Sequence, residues 1–180
     1  MQKKPLIELK MVYPLYLMKN NTFIICFFSI FFLFSYVFAN EKALVRLKGK
    51  TNFIVDLAVS DEEKKRGLMN IERLVNTNGM LFLNKRKRVV NMWMKNTYIN
   101  LSIIFINTDK QISDIKNGIK FSKQIISSNK PVIATLEIPS FCSKKLKLNI
   151  GDHLDWEILK YQDFVKIIKS KETDKFPCVK

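Results

Sequence analysis

The stretch GMLFLNKRKRVVNMWMKNTYINLSIIFI, from Gly79 to Ile106, predicts the centre of a β-sheet. Three apolar runs in it have the length and the composition of strands: residues 80–83, 89–94 and 99–106. Residues 101–106 are apolar except for Ser102, which indicates a strand that is covered on both faces. The sequence around this stretch is therefore expected to complete one sheet.

Two polar segments interrupt the apolar runs. Lys95-Asn96-Thr97 forms a hinge before the last run, and Lys85–Arg88 places four basic residues in tandem between the first two. Four like charges repel one another and favour water, so this run predicts a solvated loop between strands. An anion clamp is the alternative.

Upstream of this stretch, residues 51–59 alternate between apolar and mixed positions, which predicts a strand with one buried face. Ser60 and Glu63 then have the spacing of a capping box, in which each side chain accepts from the backbone N–H of the other residue. A short helix should follow and end at Gly67 in the left-handed conformation after about two turns.

Downstream, period-two alternation and turn residues predict three more strands: residues 111–116, 132–138 and 154–158. Residues 119–130 are polar and lack a clear period, so they are expected to form a loop over the edge of the sheet. Residues 140–146 predict one helical turn. Phe164, Ile167 and Ile168 have helical spacing, which predicts a short helix in the Lys-rich tail.

The amino-terminal region has the pattern of an export signal. Thr22 to Phe38 is a run of 17 uncharged, almost wholly apolar residues that follows Lys19 and ends at Ala39. We expect residues 18–39 to be a signal peptide, residues 1–17 to be an extended start, and the mature protein to begin at Asn40. Because a membrane span needs about 17 to 25 residues, an uncleaved anchor stays open as the alternative.

The remaining chain is expected to be one β domain, residues 40–160, followed by a basic tail, residues 161–180. The predicted location is the periplasm or cell envelope, with membrane contact only through an uncleaved leader. Two cysteines follow the leader, Cys142 and Cys178. An oxidising compartment permits a disulfide between them, and two free thiols remain the alternative.

The charge is strongly basic. The full chain has a formal net charge of +15, and the part from Asn40 onward keeps +12, which is 27 basic minus 15 acidic residues. Such a field favours anionic partners, and an anionic small molecule or an envelope component is expected. The lysines are scattered and form no stripe, which argues against nucleic acid as a partner.

Three motifs in series resemble the family called domain of unknown function 192: Gly67-Leu68-Met69, Gly79-Met80-Leu81-Phe82 and Trp93-Met94-Lys95-Asn96-Thr97. The similarity runs from about Phe53 to about Trp156. It implies a compact, mainly β domain of sandwich or barrel type with one short helix, and no established activity. Together with the helical turn predicted at residues 140–146, one or two short helices are expected. This sequence departs from the family pattern at Asn100, Ser102 and Ser140, where Pro, Asp and Gly are usual. The absence of a carboxylate at Ser102 argues against metal binding or proton transfer at this position.

The hinge supplies the candidate ligand site. Strand alternation places Trp93 and Lys95 on one face and Met92 and Met94 on the other. An ammonium beside an indole, next to the Asn96 amide and the Thr97 hydroxyl, suits a carboxylate, a phosphate or a sugar. In the alternative interpretation, Asn96 and Thr97 hold a tight turn. Lys95 then pairs with one of two carboxylates, Glu137 or Asp152.

Two function classes remain. The first is an exported binding or accessory module without a cofactor, because the sequence contains no common catalytic motif or zinc-spaced cysteine pair. The second is a small hydrolase or lyase that uses Lys95 with Glu137 or Asp152. Four methionines also form a soft-donor set that could hold copper, although core packing explains them as well: Met69, Met80, Met92 and Met94.

Overall fold

A seven-stranded sheet forms the body of the protein. The computed structural model describes residues 41–170 and 173–179, so the predicted extended start and signal peptide lie outside the described residues. The nine strands are β1 Lys42–Leu47, β2 Thr51–Ala58, β3 Met80–Arg88, β4 Asn91–Met92, β5 Leu101–Ile106, β6 Ile112–Gly118, β7 Ile126–Ser127, β8 Val132–Pro139 and β9 Leu154–Leu159.

Within these described ranges, three short α-helices and a 3₁₀ turn accompany the strands. They are α1 Asp61–Arg66, α2 Ser140–Lys145, α3 Tyr161–Lys169 and the turn Thr173–Lys175. Among the described residues, no helix is long and apolar enough to cross a membrane. The one or two short helices expected for the domain are α1 and α2, and α3 is the short helix predicted in the Lys-rich tail.

The strands lie in the order β6-β5-β8-β3-β2-β1-β9, and β2–β3 is the parallel pair among otherwise antiparallel neighbours. The two outer strands approach each other at one end, where Gln111 forms a bridge with His153. Beside it, the Ile112 N–H donates to the Asp152 carbonyl over 2.9 Å. The sheet is therefore curled into a half-barrel, which refines the expected sandwich or barrel.

Apolar clusters cover both faces of the sheet. On β5, Ile104 and Ile106 belong to one cluster, while Ile103 and Phe105 belong to the other. All four side chains are fully buried, which confirms the prediction of a strand covered on both faces. Strand β2 is also buried on both sides, since Ile54 is as inaccessible as Phe53, so the prediction of one buried face was too narrow.

Two predictions in the central stretch were wrong. The basic run Lys85–Arg88 is not a loop, because β3 continues through it with these four side chains exposed to solvent. The predicted strand 89–94 shrinks to β4, which pairs with β7 inside the predicted loop 119–130. The register of β3 against β8 shifts between Leu83 and Arg88, and Arg88 pairs with Val132 again, so the exposed run lies where the pairing is irregular.

Local signals around α1 are confirmed at its start. The Ser60 hydroxyl accepts from the Glu63 N–H, and the Glu63 carboxylate accepts from the Ser60 N–H. Gly67 follows the helix with φ 49° and ψ −136°, so its φ is positive, although its ψ lies outside the left-handed helical region. The N–H of Gly67 donates to the Glu63 carbonyl and closes the helix.

The described part of the tail is tied to the domain. Cys142 and Cys178 form a disulfide, with Cα atoms 5.2 Å apart. Asn78 donates to the Lys175 carbonyl and accepts from the Cys178 N–H, over 2.7 and 2.8 Å. Of the two alternatives for these cysteines, the structure shows the bonded one.

Candidate functional site

A cleft of about 260 Å³ opens between α1, β3 and the segment that follows β3. Its lining combines cationic, apolar and amide side chains with a single buried carboxyl group. The residues are Asp61, Lys64, Lys65, Arg66, Gly67, Leu68, Met69, Phe82, Asn84, Arg88, Val90, Asn91, Met92, Trp93, Thr97 and Glu137.

Glu137 forms the floor of the cleft. In the sheet it lies opposite Met80 on β3 and Ile103 on β5, so its side chain shares their apolar face. The residue is only 4% exposed, and its carboxyl group has no hydrogen-bond or ion-pair partner among the described residues. Burial raises the pKa of Glu137 to about 8, because ionisation would place an uncompensated charge among apolar groups. The carboxyl group is thus protonated at neutral pH.

Cations form the rim. Lys64, Lys65 and Arg66 come from the last turn of α1, and Arg88 comes from the exposed end of β3. Partial burial lowers the pKa of Lys64, and the positive charge of Arg88 lowers it further. In the described part of the chain, neither Lys64 nor Arg88 has an ion-pair partner within 4 Å. An anion between these two cations would relieve their repulsion.

Trp93 forms one wall of the cleft. It is 40% exposed, and the Lys95 ammonium lies 5.3 Å from the centre of its ring. Met94 is fully buried while Trp93 and Lys95 are exposed, as alternation predicts, but Met92, which was expected on the face of Met94, lines the cleft together with Trp93. Trp93 therefore presents an indole face at the surface of the domain.

The hinge after Trp93 is a tight turn. Asn96 has a positive φ of 54°, and the Thr97 N–H donates to the Met94 carbonyl over 3.2 Å. The Thr97 hydroxyl donates to the Lys95 carbonyl over 3.3 Å. These bonds match the structural alternative for Asn96 and Thr97, in which the two residues hold the turn.

The structure divides the predicted site residues into two groups. Trp93, Thr97 and Glu137 line the cleft, whereas Lys95, Asn96 and Asp152 do not. The Asp152 carboxylate is 2.6 Å from the Lys50 ammonium and accepts from the Asn149 N–H, and these contacts lower its pKa. Among the described residues, Lys95 forms no ion pair with Glu137 or Asp152, so the expected pairing is not observed.

The methionine set is also divided. Met69 and Met92 line the cleft, while Met80 and Met94 are fully buried. Copper binding by these four residues stays a prediction. Within the described ranges, no group of three or more His, Cys, Asp or Glu side chains could hold a metal ion. The Ser102 hydroxyl lies 2.7 Å from the Ser143 hydroxyl and is buried.

Sequence reasoning missed the contribution of α1 to the site. Lys64 and Asn84 were not expected there, because their neighbourhood depends on how α1 packs beside β3. The sequence did indicate part of the cationic rim, because an anion clamp was the alternative interpretation of the run Lys85–Arg88. One residue of that run, Arg88, does reach the cleft.

Comparisons with known proteins support the architecture. The model of domain of unknown function 192, described as an uncharacterized ACR, matches residues 43–156. A crystal structure from Sinorhizobium meliloti 1021, provisionally described as a transcription regulator, is 35% identical with a TM-score of 0.59, and the match covers 66% of this chain and 94% of that chain. A protein of unknown function from Novosphingobium aromaticivorans DSM 12444 is 28% identical with a TM-score of 0.58, covering 64% and 84%. No curated protein matches the chain.

Proposed function

The chain belongs to the domain of unknown function 192 family, and from that premise we propose that it is an exported binding module for a small organic anion. The cleft beside α1 is the binding site. The observation that carries the proposal is the combination, in one cleft, of two rim cations that lack an ion-pair partner within 4 Å among the described residues and a buried, unpartnered carboxyl group at the floor.

The floor and the rim act on different parts of the ligand. Protonated Glu137 can donate a hydrogen bond to a polar group that reaches the floor. Such a bond offsets the free-energy cost of burying the carboxyl group. Lys64 and Arg88 attract the acidic group of the ligand at the rim. Trp93 offers an aromatic face to an apolar or planar middle. The ligand class is therefore a small anion with an acidic end, a flat body and a polar far end.

Export is part of the same proposal. The predicted signal peptide, residues 18–39, would direct the domain out of the cytoplasm, and the Cys142–Cys178 disulfide supports an oxidising compartment. Intact mass of protein from the envelope fraction should correspond to a chain that begins at Asn40. Recovery of a chain that retains residues 22–38 in the membrane pellet would make the protein an anchored one.

The binding experiment uses the domain from Asn40 to Lys180 and 4-hydroxybenzoate as the first probe in a panel of small organic anions. Affinity is measured by calorimetry for wild type and for Lys64→Gln/Arg88→Gln. We expect the double substitution to weaken binding about tenfold or more, because both rim charges are lost. The matched control is Lys48→Gln/Lys160→Gln, which removes two exposed cations outside the cleft.

Lys95→Met tests the site expected from the sequence against the cleft. Lys95 lies outside the cleft lining, so its substitution should leave the affinity nearly unchanged. An equal loss in the rim variant and the control variant, or a loss confined to Lys95→Met, would contradict the cleft as the site. Above about pH 8 the affinity of the wild type should also fall, because Glu137 loses the proton that it donates.

One observation favours the hydrolase or lyase as a second candidate. A carboxyl group with a pKa of about 8 in a cleft is protonated at neutral pH and so is in the state of a general acid. Lys95 does not approach Glu137 or Asp152 to assist it. Mass analysis of the probe after incubation separates the two functions, since a binding module releases the probe unchanged and an enzyme releases a product of different mass.

A further inference from the structure

Two neighbouring loops expose a cluster of large apolar side chains away from the cleft floor. We call the surface formed by residues 95–100 and 117–125 the loop surface. Its exposed apolar side chains are Tyr98, Ile119, Phe121 and Ile125, with exposed fractions of 44, 67, 51 and 56%. Single exposed apolar residues are common, but four on two adjoining loops form a patch that suits a partner.

The loop surface is held in a fixed shape. The Phe121 N–H donates to the Thr97 carbonyl over 3.1 Å, and the Lys120 N–H donates to the Asn100 side-chain oxygen over 2.9 Å. The rings of Tyr98 and Phe121 meet edge to face, with their centres 5.0 Å apart. These contacts join the two loops, so the apolar side chains are displayed together.

Phe121 is held in a conformation that its side chain disfavours. Its φ is 64°, in the left-handed region that glycine and asparagine adopt more readily than a bulky residue. Half of its side chain faces solvent, so burial in the core does not explain the choice of phenylalanine. Asparagine at this position would suit the backbone better and would remove the aromatic side chain from the surface.

The charge of the loop surface has one sign. Lys95, Lys120 and Lys123 are exposed within it, and neither loop contains an Asp or a Glu. Cationic side chains around exposed aromatic and aliphatic ones match a membrane interface, where apolar groups enter the acyl boundary and lysines meet anionic headgroups. Uniform positive charge therefore favours an anionic lipid surface as the occupant.

We propose that the loop surface docks the domain onto membranes that contain anionic phospholipid, independently of any leader. The contact orients the domain with residues 95–100 and 117–125 towards the headgroups. Binding combines apolar insertion of Ile119 and Phe121 with charge attraction at Lys120 and Lys123. It is therefore weakened by salt, which screens the lysines, and depends on both kinds of side chain.

The test is sedimentation of the domain from Asn40 to Lys180 with vesicles. The described residues of this part belong to one compact unit and contain both apolar clusters. One set of vesicles contains phosphatidylcholine with phosphatidylglycerol, and the other contains phosphatidylcholine alone. We expect preferential binding to the anionic set.

Substitutions separate the apolar and the electrostatic contributions to vesicle binding. Ile119→Asn/Phe121→Asn should reduce the partition coefficient at least about tenfold, because two apolar side chains no longer insert. Lys120→Gln/Lys123→Gln should reduce it by about 25-fold, at roughly fivefold for each lysine near an anionic surface. The matched control Lys85→Gln/Lys87→Gln removes two exposed lysines elsewhere and should change the partition coefficient by less than about threefold.

Thermal unfolding shows that each variant is folded before it is used. If binding is absent, does not require the anionic lipid, or falls equally in the two lysine variants, the proposal is overturned. Sedimentation equilibrium provides a further outcome. A dimer that is lost in Ile119→Asn/Phe121→Asn, without vesicle binding by the wild type, would assign the loop surface to a second copy of the chain and overturn the proposal.

Discussion

Glu137 should impose an unusual pH dependence on the stability of this domain. Its pKa is raised from 4.5 to about 8 by burial in the folded state, whereas the unfolded chain exposes it and restores the ordinary value. Between these two pKa values the folded state holds a proton that the unfolded state has lost. The stabilisation that this bound proton gives to the folded state is therefore fully present below about pH 4.5 and is lost as the pH rises towards 8.

The magnitude follows from the same two values. Each pH unit in this window should lower the free energy of unfolding by about 1.4 kcal/mol. The pKa values differ by about 3.5 (8 minus 4.5), so the complete loss is on the order of 5 kcal/mol. Among the other acids, contacts lower the pKa of Asp152 and Asp155, so the stability from these residues is lost only at more acidic pH. Burial raises the pKa of Asp56, so its contribution has the same sign as that of Glu137.

The assay is urea unfolding followed by circular dichroism, at intervals from about pH 5 to about pH 9. Glu137→Gln should remove most of the slope, because the amide does not titrate. Glu62→Gln is the control, since Glu62 is exposed on α1 and its loss should leave the slope as in the wild type. Equal slopes in the wild type and Glu137→Gln would refute the argument, as would a wild type with no loss of stability up to pH 8.

Three further predictions concern stability. Replacing Cys142 and Cys178 by Ser should cost about 4 kcal/mol in urea unfolding, because the disulfide closes a loop with a sequence separation of 36; no change on reduction of the wild type would contradict this. Gly79→Ala should destabilise the domain by about 1 to 3 kcal/mol, since an added β-carbon would overlap the Glu137 carbonyl oxygen. An unchanged melting temperature would disprove the close approach of the Gly79 backbone to Glu137. Trp93→Ala should cost about 1 to 2 kcal/mol, less than the 3 to 5 kcal/mol of a buried aromatic, because Trp93 is 40% exposed; calorimetric unfolding checks the difference.

Part of the candidate site was accessible from the sequence. The interruption of apolar strands by Lys95-Asn96-Thr97 lies next to the cleft, and three of the expected residues line it: Trp93, Thr97 and Glu137. Lys95 does not line the cleft, because alternation shows which face a side chain takes but not what lies opposite that face. Glu137 became the centre of the site only when β3 and β5 surrounded it with Met80 and Ile103.

The sequence by itself determined the local structure of this protein. The strand at residues 51–58, the capping box at Ser60 and the turn at Asn96 depend on neighbours within a few residues, so local period and spacing are sufficient to predict that they form. The family resemblance rests on short motifs of the same kind.

Only the tertiary structure decided the curl of the sheet, the disulfide and the cleft. These features depend on which strands become neighbours, and β3 lies beside β8 although 43 residues separate Arg88 from Val132 in the chain. The charge state of Glu137 has the same origin, because a pKa responds to the solvent and charges around a group. The surroundings of Glu137 come from segments that are distant in the chain, so a local pattern of residues cannot predict them.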